Sequence, residues 1–118
     1  MVWQEALALA RLVYAATATF PSSENYGLIA QMRRAAVSVP SNIAEGAGRN
    51  SRREFFQFLG IASGSLAELE TQIEIAIQSG YMESDTPCAC LHRRVAKLLS
   101  ALRTSLSHEK APAGSRRR

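Results

Sequence analysis

Residues 26–81 constrain the fold more than any other part of the chain, because they predict two long helices joined by a short turn bounded by glycines. Apolar residues recur in this segment every three or four positions, which is the spacing of a helix with one buried face. No run of alternating apolar residues is long enough to indicate a sheet. The sequence therefore predicts an all-α chain.

Four helices are predicted over about residues 2–19, 23–48, 51–79 and 87–108. The connections between them are short, and short connections favour an antiparallel up-down-up-down four-helix bundle. We expect this bundle to form one domain over residues 1–108, a length that can bury a core. Residues 109–118 are basic and contain proline, glycine and serine, so we expect a disordered tail there.

One apolar stripe on each helix predicts the core. Helix one carries its stripe on Trp3, Leu7, Ala10, Tyr14 and Ala18. The stripes of the later helices are Ile29, Met32, Ala36, Val39, Ile43 and Ala47 on helix two, Phe55, Leu59, Ala62, Leu66, Leu69, Ile73 and Ile77 on helix three, and Leu91, Val95, Leu98, Leu102 and Leu106 on helix four.

Local signals predict where the helices begin and end. A serine of the Ser22-Ser23 pair is expected to cap helix two, and Pro40 is expected to bend that helix without breaking it. Ser51 and Glu54 have the spacing of a capping box at the start of helix three, where the Ser51 side chain accepts from the Glu54 amide. Gly80 is placed to end helix three.

Helix three is apolar or small on more faces than one bundle can cover. Ile61 and Ile75 lie away from its core stripe, and a ridge of small residues lies beside them, comprising Gly60, Gly64, Ala67 and Thr71. Such a helix is typical of a subunit interface. The sequence leaves open whether the ridge packs within the bundle or between subunits.

The basic residues are clustered although the formal net charge is only +4. One cluster lies in the turn before helix three and another lies on helix four. These clusters allow contact with nucleic acid or with an acidic partner, whereas an ordinary solvated surface explains them equally well. The candidate nucleic-acid-binding residues are Arg49, Arg52, Arg53, Arg93 and Lys97.

No group of side chains in the sequence indicates a reaction. Cys88 and Cys90 point to different sides of a helix and are expected to stay unpaired thiols, while Cys88 and His92 share a face but supply only half a metal site. The Glu-x-x-His pairs of di-iron bundles, the G-x-S-x-G turn and the P-loop ending are all missing. We therefore expect a protein that is not an enzyme, with no catalytic residue, metal or cofactor.

The composition also bears on location. No apolar stretch approaches the roughly 20 residues that span a bilayer, and Glu5 stands where a signal peptide carries positive charge. We expect a cytoplasmic protein with no membrane partner.

Three segments carry a resemblance to a known family. They are Gln31-x-Arg33-Arg34-Ala35, Ser38-x-Pro40-x-Asn42-Ile43-Ala44-Glu45-Gly46, and Gly64-Ser65-Leu66-Ala67-Glu68-Leu69-Glu70. With the residues around them they resemble the small bacterial four-helix bundle proteins first noticed as reading frames in intervening sequences of 23S ribosomal RNA genes. The resemblance extends from Val2 into helix four.

This resemblance implies a ring-shaped homopentamer with no established catalytic activity. The chain is also similar, more distantly, to the accessory variability determinant of diversity-generating retroelements, a pentameric bundle that binds nucleic acid and a reverse transcriptase. Among the matched positions, Arg34, Ser38, Asn42 and Glu45 share one face of helix two. They fit either a structural polar seam between helices or subunits, or a ligand surface.

Two functions remain compatible with the sequence. The first is a non-enzymatic oligomer that binds RNA or DNA through rings of basic residues, since several copies add weak phosphate contacts together. The second is a scaffold that binds a partner protein and has no role with nucleic acid.

Overall fold

The structure is a computed structural model, and it describes residues 1–110. Four α-helices account for most of these residues, namely α1 (Val2–Thr17), α2 (Leu28–Ala47), α3 (Arg52–Gln78) and α4 (Pro87–Lys110). Residues 1–110 contain no strand, which confirms the predicted all-α class. Helix α4 extends to Lys110, and the rest of the predicted tail, residues 111–118, lies outside the described residues.

The four helices pack around one core. Helix α2 packs against α1 and α3, and α4 packs against the same two helices, so α1 and α3 lie on a diagonal of the bundle. Every helix contributes a side chain that is at most 1% exposed, and these include Leu9, Met32, Leu59 and Leu99. Burial of each such side chain contributes about 1.5–3 kcal/mol, so the core of the bundle holds the helices together.

The predicted core stripe of α1 is wrong at every position except Ala10, which is buried. Trp3, Leu7 and Tyr14 are 42%, 38% and 44% exposed, and Ala18 lies beyond the helix in an exposed position. The buried residues of α1 are Ala6, Leu9, Ala10, Val13 and Thr17. Both stripes have helical spacing, because α1 is apolar over most of its circumference, so spacing alone does not choose between them.

The stripes predicted on α2 and α3 are confirmed, except that Ala47 is exposed where α2 ends and that Phe55 and Ile77 are only partly buried against the core. On α4 the prediction is partly wrong. Leu99 is 1% exposed while its neighbour Leu98 is only half-buried, and Cys88 and His92 join the core. The face of α4 that is buried is therefore rotated slightly from the predicted one.

The predicted start of α2 is also wrong. Ser22–Glu24 form a short 3-10 turn, neither serine caps a helix, and α2 begins only at Leu28. The Leu28 amide donates to Oε1 of Glu24 over 3.2 Å, so a carboxylate takes the role that was expected of a serine hydroxyl. Oε2 of Glu24 accepts a hydrogen bond from the Tyr81 hydroxyl over 3.2 Å, and this bond raises the pKa of Tyr81 above its usual 10.0.

The other helix ends agree with the sequence signals. The Ser51 hydroxyl accepts from the Glu54 amide over 3.1 Å at the start of α3. After α3, Gly80 has a φ of +82°, a conformation that only glycine adopts at little cost, and the next amide, of Tyr81, donates back to the Ala76 carbonyl over 2.9 Å. Helix α2 continues through Pro40 without a break.

Candidate nucleic-acid interface

The outward face of α4 carries a basic groove. Arg93, Arg94 and Lys97 line it together with Cys90 and Leu98, and its volume is about 370 Å³. Core residues such as Val95 hold α4 on the bundle from the opposite side, so the basic face is directed to solvent. The groove is positively charged, because three of its lining residues are cations and none is acidic.

The cations of this groove are not equivalent. Nε of Arg94 donates to Oε1 of Glu5 on α1 over 3.0 Å, so its charge is partly neutralised. Arg93 donates a hydrogen bond to the Cys90 sulfur over 3.4 Å, and neither Arg93 nor Lys97 forms an ion pair within residues 1–107. Arg93 and Lys97 are therefore the cations of this groove that are available to an anionic ligand.

Arg49 is engaged within its own chain. Its guanidinium lies 2.7 Å from Oε2 of Glu45 and 3.5 Å from Oε1 of Glu54, and it stacks 5.0 Å from the ring centroid of Phe58. A phosphate would have to compete with two carboxylates for this side chain. Arg49 lies in the turn between α2 and α3, and its contacts with both helices give it a mainly structural role.

The two predicted basic groups lie apart. Arg52 and Arg53 are exposed at the start of α3, and Arg53 makes no ion pair with any described residue. Arg93 follows His92, whose ring nitrogen contacts the Leu66 carbonyl. Leu66 comes 13 positions after Arg53 (66 − 53) on the same helix. At about 1.5 Å per residue, the two groups are separated by about 20 Å along α3.

The four residues of the predicted polar seam divide into separate contacts. Ser38 and Asn42 form a cluster with Ser65 of α3, in which the two serine hydroxyl oxygens are 2.8 Å apart. The Asn42 amide donates to the carbonyl and the hydroxyl of Ser38, over 2.9 Å each. Arg34 is exposed and lies outside this cluster, and Glu45 is paired with Arg49. The cluster therefore joins α2 to α3 inside one chain.

Cys88 and His92 pack α4 against α3. Burial raises the pKa of the Cys88 thiol to about 11, so it stays protonated at neutral pH. Nε2 of His92 lies 2.8 Å from the Leu66 carbonyl, the bond that fixes this ring between the helices. Within the described part of the chain, no three His, Cys, Asp or Glu side chains are close enough to bind a metal ion together.

Several large apolar side chains stay exposed on the bundle. Trp3, Leu7 and Tyr14 do so on α1, and Ile61 and Ile75 are 51% and 48% exposed on α3. No described atom of another helix lies within 4 Å of the place where Gly64 would carry a Cβ, so the small-residue ridge is open at that point and is not a contact inside the bundle. The sequence interpretation missed the surface on α1 because it assigned those residues to the core.

Two comparisons with known proteins bear on identity. No curated protein sequence matches the chain. The family of 23S rRNA-intervening sequence proteins matches residues 1–102, which include α1, α2, α3 and most of α4. No helix within residues 1–110 is both long and apolar enough to cross a bilayer. The chain belongs to the 23S rRNA-intervening sequence protein family.

Proposed function

We propose that this protein is a non-enzymatic assembly module, a ring-shaped homopentamer of antiparallel four-helix bundles that binds the phosphate backbone of RNA or DNA. The observation that carries the proposal is the pair Arg93 and Lys97, which are exposed on the outward face of α4 and have no carboxylate within ion-pair distance among the described residues. Arg53 adds a further cation at the start of α3.

Contacts between helices support the antiparallel arrangement. Ser38 of α2 lies beside Ser65 of α3, whereas Gly46, further along α2, lies beside Phe58, which comes earlier in α3. Neighbouring helices that run in opposite directions pair in this reversed order. Helices α3 and α4 also pair in reversed order. Gly60 lies beside Arg103, whereas Leu66, further along α3, lies beside His92, which comes earlier in α4.

Assembly explains how a moderate charge can bind nucleic acid. Five copies of a chain with a formal net charge of +4 carry +20 (5 × 4), and phosphate contacts that are weak in one chain become additive. Such contacts are mostly independent of sequence, because lysine and arginine contact phosphates without reading bases. We infer a cytoplasmic location, where Cys88 and Cys90 stay reduced.

Charge reversal on α4 tests the proposal. We expect Arg93→Glu combined with Lys97→Glu to weaken binding of a structured RNA at least tenfold at roughly 50 mM salt, and to lower the salt dependence of binding by about one phosphate contact for each substituted side chain that touches the RNA. Fluorescence anisotropy at several salt concentrations measures both quantities. Arg49→Gln is the matched control, and we expect a change below about twofold because Arg49 already pairs with Glu45.

Two results would contradict nucleic-acid binding by this face. One is a wild-type protein that binds neither RNA nor DNA at roughly 50 mM salt, or that binds with no dependence on salt. The other is a double variant on α4 that binds as well as wild type.

A further inference from the structure

A cavity between α3, the loop after it and the start of α4 brings side chains of opposite charge together. Its volume is about 170 Å³. Helix α3 contributes the carboxylates of Glu70 and Glu74, and α4 contributes the guanidinium of Arg93. Within residues 1–107 none of these three groups forms an ion pair, so the carboxylates do not neutralise the guanidinium. The cavity therefore offers both kinds of charge to a ligand.

The floor of this cavity is apolar. Ile73 of α3 and Ala89 of α4 line it and belong to the hydrophobic core, and Ile77 is partly buried against that core. Ser84, in the loop between the two helices, adds one hydroxyl to the wall. Exposed charges above a hydrocarbon floor suit a ligand that is charged on one side and apolar on the other.

His92 gives the cavity a hydrogen-bonding position that no described residue fills. Its side chain is 5% exposed, and Nε2 carries a hydrogen because the Leu66 carbonyl, 2.8 Å away, can only accept. In the neutral ring Nδ1 is then an acceptor. Nδ1 has no partner within residues 1–107, yet it is not sealed from open space. The space beside the ring is this cavity and a smaller one of about 140 Å³, which also borders Glu70. Buried polar atoms are usually bonded, so this nitrogen indicates a donor from a ligand.

The volume of the cavity limits the size of the ligand. An apolar cavity of about 150 Å³ in another protein holds benzene, so this one has room for about six non-hydrogen atoms. A lone cation of this size would be repelled by Arg93, and a lone anion would be repelled by Glu70 and Glu74. A small molecule that carries an ammonium and a carboxylate meets an opposite charge at each end.

We propose that this cavity binds a small zwitterion, an amino acid, whose ammonium donates to Glu70 and His92 and whose carboxylate accepts from Arg93. The hydrocarbon part of the ligand rests on Ile73 and Ala89. This site goes beyond the proposed binding of nucleic acid and shares only Arg93 with the basic groove of α4.

Three ligands of matched shape test the site. L-alanine carries both charges, isobutyrate replaces its ammonium by a methyl group, and L-alaninamide replaces its carboxylate by a neutral amide. We expect L-alanine to bind the 118-residue protein with a Kd on the order of 1 mM, and each analogue to bind about fivefold to tenfold more weakly. Chemical-shift changes of the His92 imidazole in NMR spectra give each affinity and show whether the ligand lies beside that ring.

Two variants assign the ends of the ligand. Glu70→Gln should weaken binding of L-alanine about fivefold without weakening binding of isobutyrate, because only L-alanine carries the ammonium. Arg93→Gln should remove the preference for L-alanine over L-alaninamide, because the carboxylate then has no cation to meet. Glu70 is the better choice for substitution, since Oε2 of Glu74 already accepts from Nε2 of Gln78 over 2.9 Å.

Glu68→Gln is the matched control, because it makes the same change on an exposed side chain of the same helix, outside the cavity. It should bind L-alanine like wild type. All the substituted side chains are exposed, so every variant should keep the circular dichroism spectrum of wild type. The proposal is wrong if L-alanine moves no His92 signal up to roughly 20 mM, well above the expected Kd. It is equally wrong if either analogue binds wild type as tightly as L-alanine, or if Glu70→Gln binds L-alanine as tightly as Glu68→Gln.

Discussion

Leu59→Ala should lower the free energy of unfolding by about 2–5 kcal/mol, the largest loss that we expect from a single truncation in this chain. Leu59 is 0% exposed in the middle of the helix bundle, on the side of α3 that faces the core. Truncation removes apolar contacts and leaves a cavity that rigid helices fill only in part. Urea denaturation followed by circular dichroism measures the change.

The control for this experiment is Tyr26→Ala. It removes a larger side chain, but that side chain is 99% exposed, so we expect a change within about 0.5 kcal/mol. All variants should be measured at the same chain concentration, because assembly adds to apparent stability. Equal losses for Leu59→Ala and Tyr26→Ala would mean that Leu59 does not lie in a packed core.

Gly46→Ala should lower the free energy of unfolding by about 1–3 kcal/mol, although alanine is ordinarily the better helix former. A Cβ at position 46 would lie 2.7 Å from Cβ of Phe58 and 3.0 Å from Cδ1 of Phe55. The Phe58 Cβ is joined directly to the backbone of α3 and cannot move aside unless the helix moves. Helices α2 and α3 are close enough here that only a glycine fits between them.

Gly48→Ala is the matched control, because the nearest atoms to a Cβ there are carbonyl oxygens 3.6 Å away, an ordinary contact distance. It stands two positions further along the chain, at the end of the same helix. We expect this variant to unfold within about 0.5 kcal/mol of wild type. If Gly46→Ala is as stable as Gly48→Ala, the close approach of α2 and α3 is incorrect.

Most of the fold was predictable from the sequence because its signals are local. Ser51, Gly80 and Pro87 mark helix ends through their own backbone preferences, and the structure has helix ends at all three. The start of α2 was not predictable in this way. It depends on the Glu24 carboxylate, which bonds to the Leu28 amide and to the hydroxyl of Tyr81, a residue that is distant in the sequence.

The sequence pattern could not predict which face of α1 is buried, and the reason is different. Two stripes fit helical spacing, and the larger side chains of Trp3 and Tyr14 favour the stripe that proves to be exposed. The buried stripe contains Thr17, whose hydroxyl donates to the Val13 carbonyl over 2.7 Å and accepts from Nε of Arg33 over 2.9 Å. These two bonds satisfy a polar group in the core, and the second comes from another helix.

The candidate site was predictable only in part. The clustering of Arg93 and Lys97 on α4 is evident from their spacing of four residues, which places both on one face. The ion pair of Arg49 with Glu45 was partly predictable as well, since Glu45 precedes Arg49 by four residues at the end of a helix. Its second carboxylate and its aromatic partner come from α3, so the packing of two helices decides its role.

The mass of the assembled particle tests the central claim most directly, because the additive phosphate contacts require assembly. Native mass spectrometry of the purified chain at micromolar concentration is the measurement. We expect a closed assembly of five 12.9 kDa chains. A clean monomer under the same conditions would contradict the claim, and the exposed apolar side chains of α1 and α3 would then need another explanation.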